Sequence, residues 1–202
     1  MNKLPIEFYN RNNVVKIAKE LLGKILVTNF EGILTSCRIV ETEAYVGLTD
    51  KAAHSYAGKR TLRNEHMYSN AATVYIYVCY GMHQMFNVVT NENEIPDAVL
   101  IRAAEPLQGI ETMLLRTGKK SLDNTLTKGP GNIGKALGMH KKYSGLNLTA
   151  DTIFFVADNF KINEDQIGIS PRIGVNYAGK DALLPYRFYV KGNKYVSGMP
   201  NK

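Results

Sequence analysis

Strand-like segments dominate the chain and constrain its fold more than any other feature. The strongest are KILVTNF at 24–30, ILTSCRIVETEAY at 33–45, ATVYIYVCYGMHQMFNVVT at 72–90, AVLIRAAEP at 98–106 and TIFFVAD at 152–158. The segment 72–90 is divided by Gly81 into two strands of a hairpin. PRIGVNYAG at 171–179 and YRFYVKGNKYVS at 186–197 also have strand character. Because short turns link most of these segments, antiparallel pairing is expected.

Three segments have helical rather than strand periodicity. In NNVVKIAKELLG at 12–23 the apolar residues recur at helical spacing, with Asn12 or Asn13 as N-cap and Gly23 at the C-cap. QGIETMLLRTG at 108–118 and GPGNIGKALGM at 129–139 are the other two. We therefore predict an α+β fold with a largely antiparallel sheet in a single domain, residues 1–202.

Composition limits the cellular setting and the chemistry. The 202 residues are 45% hydrophobic and 21% charged, no apolar run could cross a bilayer, and the N-terminus lacks a secretory h-region. We predict a cytoplasmic protein without membrane contact. Cys37 and Cys79 each lie in an apolar strand without a neighbouring cysteine, which predicts two buried free thiols. The net charge of +7 suits a polyanionic partner, but as a lone signal it is weak.

Familiar cofactor and metal motifs are not supported. Gly129 to Gly134 matches G-x-G-x-x-G, but no apolar strand precedes it, so a simple helix start is favoured over a phosphate site. The four histidines lack zinc-site spacing, and neither Cys-x-x-Cys nor G-x-S-x-G occurs. We predict no cofactor and no metal.

Two acids near the end of a strand allow opposite interpretations. Glu41, Glu43 and Tyr45 alternate, so they share one face, and two strand residues span roughly 6.6 Å. That spacing fits the acid and base of an inverting glycosidase. From this segment alone, two solvated acids on an outer face are more probable. Tyr80 beside the turn at Gly81 predicts an exposed ring, the shape of a wedge for nucleic acid.

Taken together, the segments resemble the alkyladenine DNA glycosylase family, the mammalian-type 3-methyladenine DNA glycosylases. The matching segments, in family order, are RIVETEAYVG at 38–47, AAHS at 52–55, TLRN at 61–64, VYIYVCYGMHQMFNV at 74–88, LIRAAEP at 100–106, GPG at 129–131 and PYRFYVKG at 185–192. Leu62 and Asn132 depart from the proline and lysine usual in the family, which bears on loop stiffness and on one phosphate contact. The fold expected from the resemblance is a curved, open-barrel-like sheet with flanking helices and a protruding β-hairpin.

The resemblance also implies roles for individual residues. It makes Glu43 the general base, with Arg102 supporting it and its water, and leaves Glu41 structural or solvated. It makes Tyr80 the residue inserted into the duplex. The implied walls of the base pocket are Tyr45, His54, whose backbone amide contacts the base, Tyr77, and Asn87, which excludes guanine.

The implied activity is that of a monofunctional DNA glycosylase of base excision repair, a monomer that acts on damaged purines in double-stranded DNA. The alternatives are a non-catalytic nucleic-acid-binding module and a hydrolase of free nucleosides. Phosphate contacts are predicted among basic residues in three regions. These are Lys59, Arg60 and Arg63 in the loop, Lys141 and Lys142 after the helix, and Arg187, Lys191 and Lys194 near the end.

Overall fold

A computed structural model describes residues 2–198, and within them nine strands form one antiparallel sheet. The strands are β1 Asn2–Lys3, β2 Ile25–Phe30, β3 Ile33–Tyr45, β4 Val74–Cys79, β5 His83–Thr90, β6 Asp97–Gln108, β7 Ile153–Ala157, β8 Ile167–Ser170 and β9 Arg187–Val190. Their order is β1-β7-β2-β3-β6-β5-β4, and β9 pairs with both β3 and β8. The sheet is not closed into a barrel, and the predicted α+β fold with an open antiparallel sheet is confirmed.

Three of the short helices in residues 2–198 lie at the predicted places, whereas the first was not predicted. In chain order the helices are α1 Ile6–Tyr9, α2 Val14–Glu20, α3 Ile110–Thr117 and α4 Pro130–Ala136. The side chain of Asn13 caps α2 by accepting a hydrogen bond from the Lys16 amide over 2.9 Å. Ile17 and Ala18 of α2 are fully buried in the main core. No helix in residues 2–198 combines the length and apolarity needed to cross a membrane.

Two β-bulges change which face of the sheet the central residues occupy. Ile39 pairs with Ala104 and Glu41 with Ala103, so Val40 is an extra residue on β3. Thr42 then pairs with Ile101, so Arg102 is an extra residue on β6. Bulges re-aim side chains. Here they bring Arg102 to the acids on the face opposite the main core.

The glycines at 129–134 lie at the start of α4, as the favoured interpretation predicted, and two of them also permit close packing. A Cβ on Gly134 would lie 2.1 Å from the Gln84 carbonyl oxygen, and one on Gly131 would lie 2.5 Å from the His83 ring. Gly129 is the N-cap of α4 at φ +94°. The glycines let α4 lie directly on β5.

Part of the strand prediction near the C-terminus is wrong. PRIGVNYAG is irregular chain followed by a 3-10 helix at Asn176–Leu183, while the strand Ile167–Ser170 before it was not predicted. Gly174 and Gly179 have φ of +79° and +61°, which extended strand residues do not adopt. The last strand ends at Val190 rather than continuing to 197. The segment 171–179, which was wrongly predicted as a strand, forms part of the candidate site.

Candidate active site

A cavity of about 580 Å³ lies between the end of β3, the β4–β5 hairpin and the loops at 52–63 and 173–177. Six of the seven residues to which the resemblance gave a role in the base pocket, in the chemistry or in DNA insertion line it. These are Tyr45, His54, Tyr77, Tyr80, Asn87 and Arg102. The chain thus brings together residues spread over 58 positions of sequence. The cavity volume is that of a small-molecule site.

The seventh predicted residue, Glu43, lies directly behind the cavity wall and is fully buried. Its Oε2 accepts a hydrogen bond from the Tyr45 hydroxyl over 2.8 Å. Its Oε1 accepts one from the Ile173 amide over 2.8 Å and lies 3.2 Å from Nη1 of Arg102. Tyr45, Ile173 and Arg102, which make these contacts, all line the cavity. A guanidinium and two neutral donors thus surround the carboxylate of Glu43.

Glu41 is also fully buried, so the interpretation of two solvated acids is wrong. Its Oε1 accepts from Nε of Arg102 and from Nε of Arg187, each over 2.8 Å. The Ser197 amide and hydroxyl complete its shell at 2.6 and 2.9 Å. Buried charges persist only when paired and hydrogen-bonded. Glu41 therefore has the structural role that was one of its two predicted options.

Aromatic rings form the wall on the hairpin side. The centroids of His54 and Tyr77 are 4.6 Å apart in an edge-to-face arrangement, and His54 Nδ1 lies 2.8 Å from the Tyr75 hydroxyl. Burial, followed by the charges of Arg63 and Lys59, lowers the pKa of His54 to about 4. The imidazole is thus neutral at physiological pH. Tyr75 was not predicted at the site, although its position two residues before Tyr77 on one strand was a usable signal.

Two arginines lie against the tyrosine walls. The guanidinium of Arg172 is 4.8 Å from the Tyr45 ring centroid and forms a fully buried ion pair with Asp50. The guanidinium of Arg63 is 5.5 Å from the Tyr77 ring centroid. Arg172 and Asp50 were missed, because nothing in their local sequence distinguishes them from surface charges. Burial and then the Glu43 carboxylate raise the pKa of the Tyr45 hydroxyl well above its usual value, so it remains a donor.

Asn87 and Tyr80 take different positions on the hairpin. Asn87 is buried, and its Nδ2 donates to the Met85 and Tyr75 carbonyls over 3.0 and 3.2 Å, which fixes the amide at the cavity wall. Tyr80 is 90% exposed at the hairpin tip, as predicted. Its φ of +50° is unusual for a bulky residue. Cys79, next to it, lines the cavity instead of being buried as predicted, because β4 leaves the core before its end.

The basic residues predicted to contact phosphates differ in their exposure and in whether a carboxylate already pairs with them. Lys59, Arg63, Lys141 and Lys142 are exposed. Arg60 instead binds Glu65 and Glu94 over 2.6 and 2.5 Å. Arg187 is buried against Glu41, so its assignment to the basic surface is wrong.

Comparisons with known proteins identify the family of the chain. The family model described as methylpurine-DNA glycosylase matches residues 7–194. A Clostridium perfringens (strain 13 / Type A) protein named "Putative 3-methyladenine DNA glycosylase" is 42% identical, with 96% of this chain and 98% of the relative covered. Relatives of the same name from Desulfitobacterium hafniense and Chlamydia abortus are each 44% identical; the match covers 98% and 92% of this chain, and 99% and 96% of the respective relatives. The chain belongs to the methylpurine-DNA glycosylase family.

Proposed function

We propose that this protein is a monofunctional 3-methyladenine DNA glycosylase of base excision repair. In this proposal it rotates a damaged purine out of duplex DNA and hydrolyses the N-glycosidic bond with a water activated by Glu43. The observation that carries the proposal is the position of the Glu43 carboxylate. It lies behind an aromatic-lined cavity and is hydrogen-bonded to Tyr45, one of the cavity's own walls.

Base rotation is assigned to the hairpin tip. A base inside a duplex cannot reach a cavity of this kind, so the nucleotide must leave the stack at a cost of a few kcal/mol. Tyr80 is exposed at the tip of the hairpin whose strands also carry Tyr77 and Asn87. Its ring would fill the vacated stack while the base enters the cavity. The exposed Lys59, Arg63, Lys141 and Lys142 are proposed to contact phosphates, whereas Arg60 already has two carboxylate partners.

The bond-breaking step uses one carboxylate. As the base departs with the electron pair of the N-glycosidic bond, positive charge develops on the sugar, and the ionised Glu43 stabilises it. Water adds its oxygen to the anomeric carbon and gives its proton to Glu43. The products are the free base and an abasic site. General base assistance of this kind is worth about 10²–10⁴-fold.

The residues around the cavity affect whether charged or neutral damaged purines are better substrates. An alkylated purine that carries a positive charge departs without further protonation. A neutral damaged purine must gain a proton, and the neutral His54, with its pKa lowered to about 4, is a poor source of one at pH 7. A tyrosine face with no cation already beside it favours a stacked cation by roughly 0.5–2 kcal/mol. The faces of Tyr45 and Tyr77, however, already lie near Arg172 and Arg63, respectively. Those arginines would reduce this preference for a charged base.

A direct test uses a duplex with one damaged purine, followed by alkaline cleavage of abasic sites. The wild-type protein should produce a strand break, while Glu43→Gln should still bind the duplex but release no base. Glu20→Gln is the matched control, because Glu20 lies at the end of α2, away from the cavity, where it forms an ion pair with Arg11. Wild-type turnover by Glu43→Gln would remove Glu43 from the role of base. Absence of breaks with every lesion tested would favour a non-catalytic DNA-binding module.

The remaining alternative, a hydrolase of free nucleosides, predicts a different substrate dependence. Such an enzyme needs Glu43 but has no use for an exposed wedge. Tyr80→Ser should therefore weaken excision from a duplex more than from a mononucleoside. An equal loss on both substrates would count against the wedge.

A further inference from the structure

We infer that Glu41 and Ser197 are positioning residues for the reaction, because together they hold Arg102 so that one end of its guanidinium is directed at Glu43. The inference rests on the proposed role of Glu43 as base. It gives the second acid of the strand, and the C-terminal segment of the described chain, a place in the activity.

Each terminal or bridging nitrogen of Arg102 has its own partner. Nε donates to Glu41 Oε1 over 2.8 Å, and Nη2 donates to the Ser197 hydroxyl over 3.1 Å. Nη1 lies 3.2 Å from Glu43 Oε1. A planar guanidinium held at two corners has its third corner fixed. The position of Nη1 at the proposed base is therefore set by Glu41 and Ser197.

The surrounding charges balance. Glu41 and Glu43 are both fully buried, and the side chains of Arg102 and Arg187 are 7% and 4% exposed. Two carboxylates thus face two guanidinium groups, and Arg187 also donates to the Ser197 carbonyl. A buried network of this kind tolerates the loss of one member poorly, because an unpaired charge remains. Without Glu41, Arg102 would lose one of its two carboxylate partners and Arg187 would lose its own.

The C-terminal segment reaches this network over a surface that the bulges create. Tyr195 and Val196, immediately before Ser197, pack in a small buried cluster with Val40, Ala103 and Tyr189. Val40 is the extra residue of the β3 bulge, and Ala103 follows the extra residue of the β6 bulge. The bulges therefore serve twice. They aim Arg102 at the acids and form the apolar seat that brings Ser197 to them.

The test compares Glu41→Gln and Ser197→Ala with wild type in full-length protein. The measurements are the single-turnover rate of base release, the affinity for lesion duplex, and the melting temperature. We expect Glu41→Gln to lower the rate on the order of 10²-fold and Ser197→Ala to lower it about 10-fold, both with affinity unchanged. Ser197→Thr, which keeps the hydroxyl, should retain the rate. Asp158→Asn is the control, since it breaks a bidentate arginine pair with Arg38 on the same strand without touching the network.

Two outcomes would overturn the inference: wild-type rates in folded Glu41→Gln and Ser197→Ala, or an equal loss of rate and affinity in both. If Glu41→Gln does not fold, the rate and affinity of Ser197→Ala decide. Activity in Glu43→Gln is a separate result that would overturn the role of Glu43 itself.

Discussion

The Tyr45 hydroxyl donates a hydrogen bond to the Glu43 carboxylate over 2.8 Å, and the two residues are neighbours on one face of β3. The ring of Tyr45 lines the cavity, while its hydroxyl touches the group behind the wall. The side chain of Tyr45 is therefore placed both to contact the substrate and to orient the proposed base. This relationship motivates the first prediction.

Tyr45→Phe should lower the single-turnover rate of base release on the order of 10-fold, because Glu43 loses one of the donors that fix its orientation. The phenyl ring should preserve binding of the lesion duplex. The measurement is the rate at saturating enzyme beside the duplex affinity. Tyr143→Phe is the matched control, since that ring stacks on Phe30 at 4.2 Å and does not line the cavity. A wild-type rate in Tyr45→Phe would show that its hydroxyl is dispensable.

His54 should make folding stability depend on mildly acidic pH. Its pKa is lowered from 6.5 to about 4 in the folded protein, so between these values the unfolded chain binds the extra proton. The free energy of unfolding should therefore fall as pH drops from about 6.5 towards 4, by at most roughly 3 kcal/mol from this residue. Urea unfolding of wild type and His54→Gln at pH 7 and 5 measures the difference.

Asn159, which is exposed and has no titratable group, supplies the control for that experiment. Asn159→Gln should keep the wild-type pH dependence, whereas His54→Gln should weaken it. Identical pH dependence in wild type and His54→Gln would contradict a lowered pKa.

Tyr80→Asn should stabilise the free protein while impairing its activity. Tyr80 and Gly81 both have positive φ, and the Met82 amide donates to the Cys79 carbonyl over 3.2 Å, the pattern of a type I′ turn. Asparagine tolerates this backbone better than tyrosine, so the free energy of unfolding should rise by about 0.5–1 kcal/mol. Excision from duplex DNA should fall, because the exposed ring is lost. A variant that is both more stable and fully active would argue against insertion of Tyr80.

Arg63 and Arg60 should differ in their effect on the salt dependence of DNA binding. Arg63→Gln should reduce the slope of log affinity against log salt by about 0.9, the value for one phosphate contact. Arg60→Gln should leave the slope unchanged, because Glu65 and Glu94 already neutralise Arg60. Titrations at several salt concentrations give both slopes. The opposite ranking would exclude Arg63 as a phosphate contact.

Gly134→Ala should destabilise the protein because its Cβ would lie 2.1 Å from the Gln84 carbonyl oxygen, a backbone atom that cannot easily move. Relief of such overpacking typically costs about 1–3 kcal/mol. Asn132→Ala, an exposed change in the same helix, should have a smaller effect. Chemical denaturation measures both. Equal stability of Gly134→Ala and wild type would contradict the packing role of this glycine.

Much of the architecture was predictable because it depends on local pattern. Alternating apolar residues placed β2 through β7, Asn13 marked the start of α2, and Gly81 marked the hairpin turn. The predicted C-cap at Gly23 was wrong, because α2 ends at Glu20 with Leu21 as its C-cap. The irregular segment at 171–179 was mistaken for a strand. Its apolar residues resemble a strand, but glycine backbone conformations and the burial of Arg172 against Asp50 shape it instead.

The sequence by itself determined the residue types of the site, the family and the exposed position of Tyr80. Only the tertiary structure decided which arginines and hydrogen-bond donors contact each of the two acids. Glu41 and Glu43 look equivalent along the strand, yet one binds two arginines and Ser197, while the other meets Tyr45, Ile173 and Arg102 at the cavity wall. Apart from Tyr45, their partners come from β6, β9 and segments more than 50 residues away, and two bulges set the contact. Burial and long-range pairing, which no local pattern encodes, gave the two acids their different environments.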